Sequence, residues 1–366
     1  MHVSGSASIP WALSGFGSGG RIFHAPLLAS AAGLNLTAVV TRDAERRAAV
    51  AHAFPHALCV ESMADLPGLG VVGVTISTPP ATHLPLALEA IQLGLHVVVD
   101  KPFALSIADT RQIADAAQHA GVLAIPYFNR RLDDDFLTIR ALVDGDRLGT
   151  VQRFESRLDR SRPVKPGWSS DAAQGGGLLL DLGPHLVDQA LCLLGPVASV
   201  SAELDTVREG ATSEDGVILN LFHISGARSV LFASLAAPAA GPRFLVQGSS
   251  GGARIEGFDV QEAQLKAGGS PASLGNAWGV DPNRCAHVFG LDGEFEEHRL
   301  EPGRWNIFYP AVAAALQNRE AGNAEVPTGP ADALATAVVL DAARTSARED
   351  RAVTVSEAMP DIARTE

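Results

Sequence analysis

The sequence predicts an α/β fold in two parts. The first is a doubly wound parallel sheet, and the second is an α+β domain on a large, mostly antiparallel open sheet. Three patterns carry this. Strand-like and helix-like stretches alternate through the first 126 residues. A glycine run, Gly15-Phe16-Gly17-Ser18-Gly19-Gly20, lies between the first strand and the first helix. Beyond Tyr127, strand-like runs follow one another with few helices between them.

The elements follow in order. Ile9–Leu13 is apolar and leads into the glycine run. A helical pattern spans Arg21–Ala32 and stops at Gly33, a favourable C-terminal cap. Leu36–Val40 reads as a strand, Asp43–Phe54 as a helix and the β-branched run Val71–Ser77 as a strand. His83–Leu93 is a helix ended by Gly94, and His96–Val99 is a short buried strand. Ser106 caps a helix over Ile107–Ala120 that ends at Gly121, before the strand Val122–Ile125. Strands separated by 10–15-residue helices imply parallel pairing through right-handed crossovers. The boundary falls near residues 126–130. A dinucleotide-binding domain over 9–127 and a second domain over 128–358 are therefore expected.

In the second part Asp133–Leu142 reads as a connecting helix. Val151–Arg157, Val197–Leu204, Gly216–His223, Arg228–Ser234, Phe244–Gln247 and Ala253–Glu256 read as strands. Gly177–Leu194, Trp305–Gln317 and Pro330–Ala347 read as helices, and 236–242 and 267–283 as surface loops. No repeat or low-complexity tract is visible.

Composition excludes several function classes. The 366 residues carry a net charge of −13, with 28 basic and 41 acidic side chains, which argues against a nucleic-acid partner. The most apolar stretches, 71–99 and 177–200, are interrupted by proline, histidine and acidic residues, so no membrane span is expected. Cys59, Cys192 and Cys285 are far apart. They fit neither a disulfide framework nor a zinc cluster, and with no signal-peptide pattern at residues 1–8 they suit the cytoplasm. Only Lys101, Lys165 and Lys266 among the basic residues are lysines. Residues 130–165 hold nine Lys/Arg against seven Asp/Glu, a local basic excess expected in part to face the site.

The glycine run fits G-x-G-x-x-G in the strand–turn–helix context the motif requires. Gly15, Gly17, Gly19 and Gly20, with Phe16 between, are the expected pyrophosphate-binding turn of a Rossmann domain. The next strand ends in Thr41-Arg42-Asp43, not in an acid. Arg42 beside Thr41 suits the 2′-phosphate of NADP, so NADP is favoured over NAD. The alternative is that Arg42 is a solvated residue at the helix start, with Asp43 as N-cap.

Lys101, in Asp100-Lys101-Pro102, follows a buried strand at the edge where such sheets bind ligands. It is either a positioned donor or an exposed turn lysine. Asp181 and His185 stand four apart, on one face if helical. They suit acid–base work; a structural histidine or a metal ligand is the alternative, although no third ligand is visible and no metal is expected.

Together these motifs resemble the Gfo/Idh/MocA oxidoreductase family over residues 9–355. The landmarks are Gly15-x-Gly17-x-x-Gly20, Thr78-Pro79-Pro80-x-x-His83, Gly94-x-His96-Val97-Val98-Val99-Asp100-Lys101-Pro102 and Gly176-Gly177-x-x-x-Asp181-x-Gly183-x-His185-x-x-Asp188. Phe23-His24-Ala25-Pro26, Asn129-Arg130-Arg131, Asp259-x-Gln261-Glu262 and Trp305-x-x-Phe308-Tyr309 are similar to its NADP-type scyllo-inositol dehydrogenase-like branch. Asp100 departs from the usual glutamate, and Ser169-Ser170 from an Arg-Glu pair. The resemblance implies hydride exchange between a nicotinamide and a cyclic polyol or sugar. It implies His185 as base, Lys101 as donor to the reacting oxygen, and Asp181 orienting His185 or binding a neighbouring hydroxyl. Thr78, Pro79, His83, Asp100 and Lys101 would line the cofactor site, and Asn129, Arg157 and Trp168 the substrate pocket. It also implies a homodimer or homotetramer through the open sheet. A non-catalytic sugar sensor and a NAD-assisted glycosidase are the alternative uses of such a scaffold.

Overall fold

The computed structural model describes residues 8–164, 167–319 and 325–358. Six parallel strands form the first sheet: β1 Ile9–Ser14, β2 Leu34–Val40, β3 Leu58–Val60, β4 Gly73–Ile76, β5 His96–Val99 and β6 Ala124–Pro126. Their order is β3-β2-β1-β4-β5-β6. The order reverses between β1 and β4, which opens a crevice at the strand C-termini. The sheet is buried on both faces, which accounts for the unbroken apolar strands. Along β5, Val98 enters the core on one face while Val97 and Val99 enter the core on the other.

Three caps behave as read from sequence, whereas Gly33 does not cap the first helix, which ends at Ala29. The Asp43 side chain accepts from Arg46 N–H, the Ser106 hydroxyl accepts from Asp109 N–H, and Gly121 ends its helix at φ 64°. The helix after the glycine loop differs. It is a wide π-type turn, Gly19–His24, followed by a short α-helix, Ala25–Ala29, rather than one helix over Arg21–Ala32.

The second sheet has nine strands: β7 Val151–Asp159, β8 Val197–Asp205, β9 Gly216–His223, β10 Arg228–Ser234, β11 Phe244–Gly248, β12 Gly252–Ile255, β13 Cys285–Phe289, β14 Phe295–Arg299 and β15 Val353–Thr354. They run β14-β13-β12-β11-β7-β10-β9-β8-β15. Only β7 and β10 pair in parallel. Alternation sorts the side chains, so Phe154, Leu158, Leu219, Leu231, Phe244 and Val246 enter the core under the helices.

Sequence reading missed β3, β13 and β14, and a helix at Gln261–Lys266. Phe295-Glu296-Glu297-His298-Arg299 is a charged edge strand outside the core, so it carries no apolar alternation. The expected loop at 267–283 contains a short helix, Pro271–Leu274.

The chain's far end returns to the first sheet. Trp305, Phe308, Tyr309 and Val312 pack into the core with Trp11 and Leu13. Helix Pro330–Glu349 serves both cores, through Ala333 on one side and Val339, Leu340 and Ala343 on the other.

Buried ion pairs join these layers. Arg130 bonds Asp133 at 3.0 Å and Glu262 at 3.1 Å, Arg160 bonds Glu262 at 3.0 Å, and Arg131 bonds Asp188 and Asp332. Of the basic residues in 130–165, Arg130, Arg131, Arg157 and Arg160 are met by carboxylates, whereas Arg162 lines the cavity beside Asp181. Lys165 lies outside the described residues. Arg130→Ala strands Asp133, which is 0% exposed. It is expected to cost about 3–5 kcal/mol, read by chemical denaturation; a loss below ~1 kcal/mol would mean that Trp305 Nε1, which also donates to Asp133, suffices.

Candidate active site

Lys101 leaves the C-terminal end of β5, through a Lys101-Pro102 peptide that is cis. Its Nζ donates to Asp181 Oδ1 and to the Asp181 carbonyl, both at 2.7 Å. An ammonium has three N–H bonds. Two are used, so one is left for a further acceptor.

Asp100 sits behind this lysine. Oδ1 accepts from the Lys101 backbone N–H at 2.8 Å, and Oδ2 accepts from the Ser77 hydroxyl at 3.0 Å. Oδ2 also lies 3.2 Å from His24 Nε2, a close contact without hydrogen-bond alignment. The fully buried His24 ring lies 2.7 Å from the Tyr309 hydroxyl and packs 4.2 Å from the Tyr127 ring. Burial would raise the Asp100 carboxyl, but His24 and Lys101 outweigh burial and hold it well below the usual carboxylate range. Asp100, expected among the cofactor contacts, is thus bonded to the protein itself and braces Lys101.

His83 is corrected in the same way. It is 1% exposed, with Nδ1 2.8 Å from the Pro102 carbonyl and Nε2 2.9 Å from the Thr78 carbonyl. It ties the Thr78-Pro79 turn to the Lys101-Pro102 turn. Two carbonyl acceptors suit a doubly protonated ring, yet burial pushes its pKa down, with Asp100 opposing.

Asp181 ends a short helix, Leu178–Asp181, and His185 lies in the first turn of the next, Gly183–Leu194. The single helix expected over Gly177–Leu194 breaks at Leu182. Asp181 bonds Lys101, and among the described residues it makes no hydrogen bond to His185, so the expected orienting contact is absent there. His185 is 4% exposed, and its Nδ1 is buried without a partner. This leaves Nε2 as the nitrogen that can meet a ligand. Burial, then Lys101 and Arg130, push the His185 pKa well below 6.5, so the ring is neutral at neutral pH.

A cavity of about 150 Å³ adjoins Asp181, lined among others by Arg162, Ser169, Ser170, Ser213 and Glu214. Trp168 begins the turn Trp168–Ser170 beside it, half-buried. Asn129, 6% exposed, opens the turn after β6 and has no side-chain hydrogen bond among the described residues. Arg157 does not belong to this group. On β7 it alternates with Phe154, Ser156 and Leu158, which face the helices, and it lies instead over the Phe232 ring at 3.5 Å, with Glu155 and Asp159 beside it. Strand parity puts it on the outer face of the sheet.

The glycine loop borders a second cavity, about 450 Å³, lined by Ser14, Gly15, Thr41, Arg42, Arg46 and Thr78 among others. A Cβ on Gly15 would sit 2.4 Å from the Ser77 carbonyl, and one on Gly20 2.1 Å from the Gly15 carbonyl. A Cβ on Gly17 would meet nothing within 4 Å, so the loop keeps open space on its outer side. This tight turn with a free outer side fits a pyrophosphate. Phe16 contributes only its backbone, because its ring packs edge-on against Phe54 in the core. Arg42 Nε donates to the Glu61 carbonyl at 3.1 Å. Arg46, not singled out from sequence, lines the cavity from the first turn of the helix that Asp43 caps.

The first sheet and its glycine-edged crevice are those of a nicotinamide-dependent oxidoreductase. Residues 9–128 match the oxidoreductase family with an NAD-binding Rossmann fold, and residues 136–254 match the GFO/IDH/MocA C-terminal domain. The uncharacterized oxidoreductase YdgJ of Escherichia coli K12 is 34% identical over 336 residues, 90% of this chain and 93% of that protein. The Bacillus subtilis scyllo-inositol 2-dehydrogenase (NADP(+)) IolW is 29% identical over 347 residues, 93% and 94% of the two chains. An oxidoreductase structure from Klebsiella pneumoniae superposes with a TM-score of 0.86 at 35% identity, covering 95% of both chains. The chain belongs to the Gfo/Idh/MocA oxidoreductase family. Among the described residues no helix is long and apolar enough to cross a membrane.

Proposed function

We propose that this enzyme exchanges a hydride with a hydroxyl-bearing carbon of a cyclic polyol or sugar, with NADP as its preferred cofactor. One observation carries the reading: Lys101, just past the C-terminal end of a parallel strand, is held by Asp181, and Asp181 in turn lines a small polar cavity with Ser169, Ser170, Ser213, Arg162 and Glu214. When bound, the nicotinamide supplies the hydride acceptor or donor. The turn from Gly15 to Gly20, with Thr41, Arg42, Arg46 and Thr78, would hold that cofactor. His185 takes the substrate hydroxyl proton at Nε2. The remaining N–H of Lys101 donates to the same oxygen as it becomes negative. Asp181 holds the ammonium in place. Ser169, Ser170 and Ser213 offer partners for the other hydroxyls of a polyol. The relative named for scyllo-inositol and NADP supports both substrate class and cofactor.

A panel of inositols, pentoses and hexoses with NADP+ and NAD+, read by absorbance of the reduced cofactor, tests the reading. No turnover of any member in either direction overturns it. The cofactor preference has its own test. Asp43 is committed to its N-cap, whereas Arg42 and Arg46 border the cavity near Thr41. The double variant R42A/R46A is expected to raise KM for NADP+ by roughly 10–100-fold, the value of a charge-assisted hydrogen bond, with little change for NAD+. Equal losses with both cofactors would remove the case for a 2′-phosphate.

The reading extends to self-association through the outer face of the nine-stranded sheet, where Ile218, Phe222, Phe232 and Leu245 are part-exposed. Sedimentation of the full chain distinguishes monomer from dimer or tetramer.

A further inference from the structure

We propose that Cys285, His287 and Glu297 form a binding site for a zinc-like divalent transition metal on the outer hairpin of the second sheet. Cys285 and His287 are two apart on β13, so their side chains leave the same face. Strand β14 runs antiparallel and brings Glu297 directly opposite His287. The thiol sulfur, an imidazole nitrogen and a carboxylate oxygen all lie within 4.8 Å of one another. No single stretch of sequence carries this set. It is made by a cross-strand register that joins residues ten or more apart, which is why cysteine spacing alone pointed to no metal.

Among the described residues none of the three side chains has a hydrogen bond or ion pair to any other group. A thiol, an imidazole and a carboxylate thus face one another with their ligand atoms uncommitted. The His287 ring is steadied from the other side, 4.5 Å from the Phe295 ring and 6.5 Å from that of Phe289. Two arginines are near. Arg254 opposes His287 from β12 and is already paired with Glu256, and Arg299 opposes Cys285 from β14. A thiol coordinated to a dication loses its proton, so the sulfur binds as thiolate.

The ligand chemistry selects the ion. One sulfur, one imidazole and one carboxylate suit zinc or cobalt and do not suit magnesium or calcium, which prefer all-oxygen shells. Three protein ligands leave a fourth tetrahedral position to water. On binding, the metal gives up hydration water, forms bonds to S, N and O, and the thiol proton passes to solvent. Cys285 and His287 are half-buried and Glu297 is exposed, so the ion has a way in. The bonds would fasten β14, a charged edge strand with little core of its own, to β13.

The test uses the full chain, free of any purification tag and stripped with a chelator. Zn2+ is titrated by calorimetry and Co2+ by absorption, where a thiolate ligand gives a charge-transfer band. One equivalent should bind at micromolar concentration or below, with the Co2+ band lost in C285S. Affinity should fall by roughly a hundredfold or more in H287A and E297Q, beyond the ~10–100-fold typical of outer-shell changes. Zn2+ should raise the melting temperature of the native chain but not of C285S. Dehydrogenase turnover should be equal in the native chain and C285S, since none of the three residues adjoins Lys101 or His185. Absence of saturable binding, or binding of equal strength in C285S, overturns the proposal.

Discussion

Lys101→Met is expected to lower kcat by roughly 10²–10³-fold, the usual cost of removing one preorganised donor to a developing oxyanion. Methionine keeps the length and loses the charge and the donors. In the native chain two of the three ammonium N–H bonds are taken by Asp181. The geometry of the third is therefore set before any substrate arrives, and this preorganisation is what the variant removes. Cofactor affinity, followed by fluorescence of the reduced form, should change by no more than a few-fold, because the glycine loop and the Arg42–Arg46 edge belong to a different cavity. Asp181→Asn gives the companion result: a weaker hold on Lys101, with part of the rate retained. Full activity in Lys101→Met would dismiss the oxygen-donor role outright. A large loss of cofactor binding would reassign the lysine to the nucleotide.

His185→Asn is expected to cost roughly 10²–10⁴-fold in oxidation rate, the range for loss of a general base. The pH profile separates a base from a spacer. The base works only when neutral. Burial and the nearby Lys101 and Arg130 lower its pKa well below 6.5, so the neutral form persists as the medium is acidified through 6.5. The acidic limb of kcat/KM for polyol oxidation should then fall well below pH 6.5, and the Asn variant should lose that limb altogether. A limb at or above pH 6.5 in the native chain would mean that a different group takes the proton. The unpartnered Nδ1 sharpens the expectation. Among the described residues Nδ1 has no hydrogen-bond acceptor to steady the protonated ring, so the proton received from substrate is held weakly and passes on easily.

Much of the first domain was legible because its signals are local. Caps at Asp43, Ser106 and Gly121, and the glycine turn before a helix, act over two to six residues, and the parallel order follows from regular alternation. Lys101 stood out for a similar reason: it is one of three lysines and it follows a buried strand. What local pattern could not reach were contacts between distant segments. His24 and Tyr309 are 285 residues apart in sequence, yet together they back Asp100. Arg157 has the composition of a pocket residue, but strand parity sends it to the far face, against Phe232. Phe295–Arg299 went unread as a strand because it is an edge strand with no face in the core.

The sequence by itself determined the class of fold, the glycine turn, the strand end that carries Lys101 and the polar pair Asp181 and His185. All of these rest on periodicity, backbone freedom at glycine or residue type, which act within one element. Tertiary structure alone decided who bonds to whom. Asp181 is bonded to Lys101 and, among the described residues, not to His185. His83 and Asp100 are absorbed into bracing the turn at Lys101. Arg130, Arg131 and Arg160 are met by Glu262, Asp188 and Asp332 from distant segments. Hydrogen bonds and ion pairs act over about 3 Å, and only packing brings residues 80 positions apart, such as Lys101 and Asp181, to that distance.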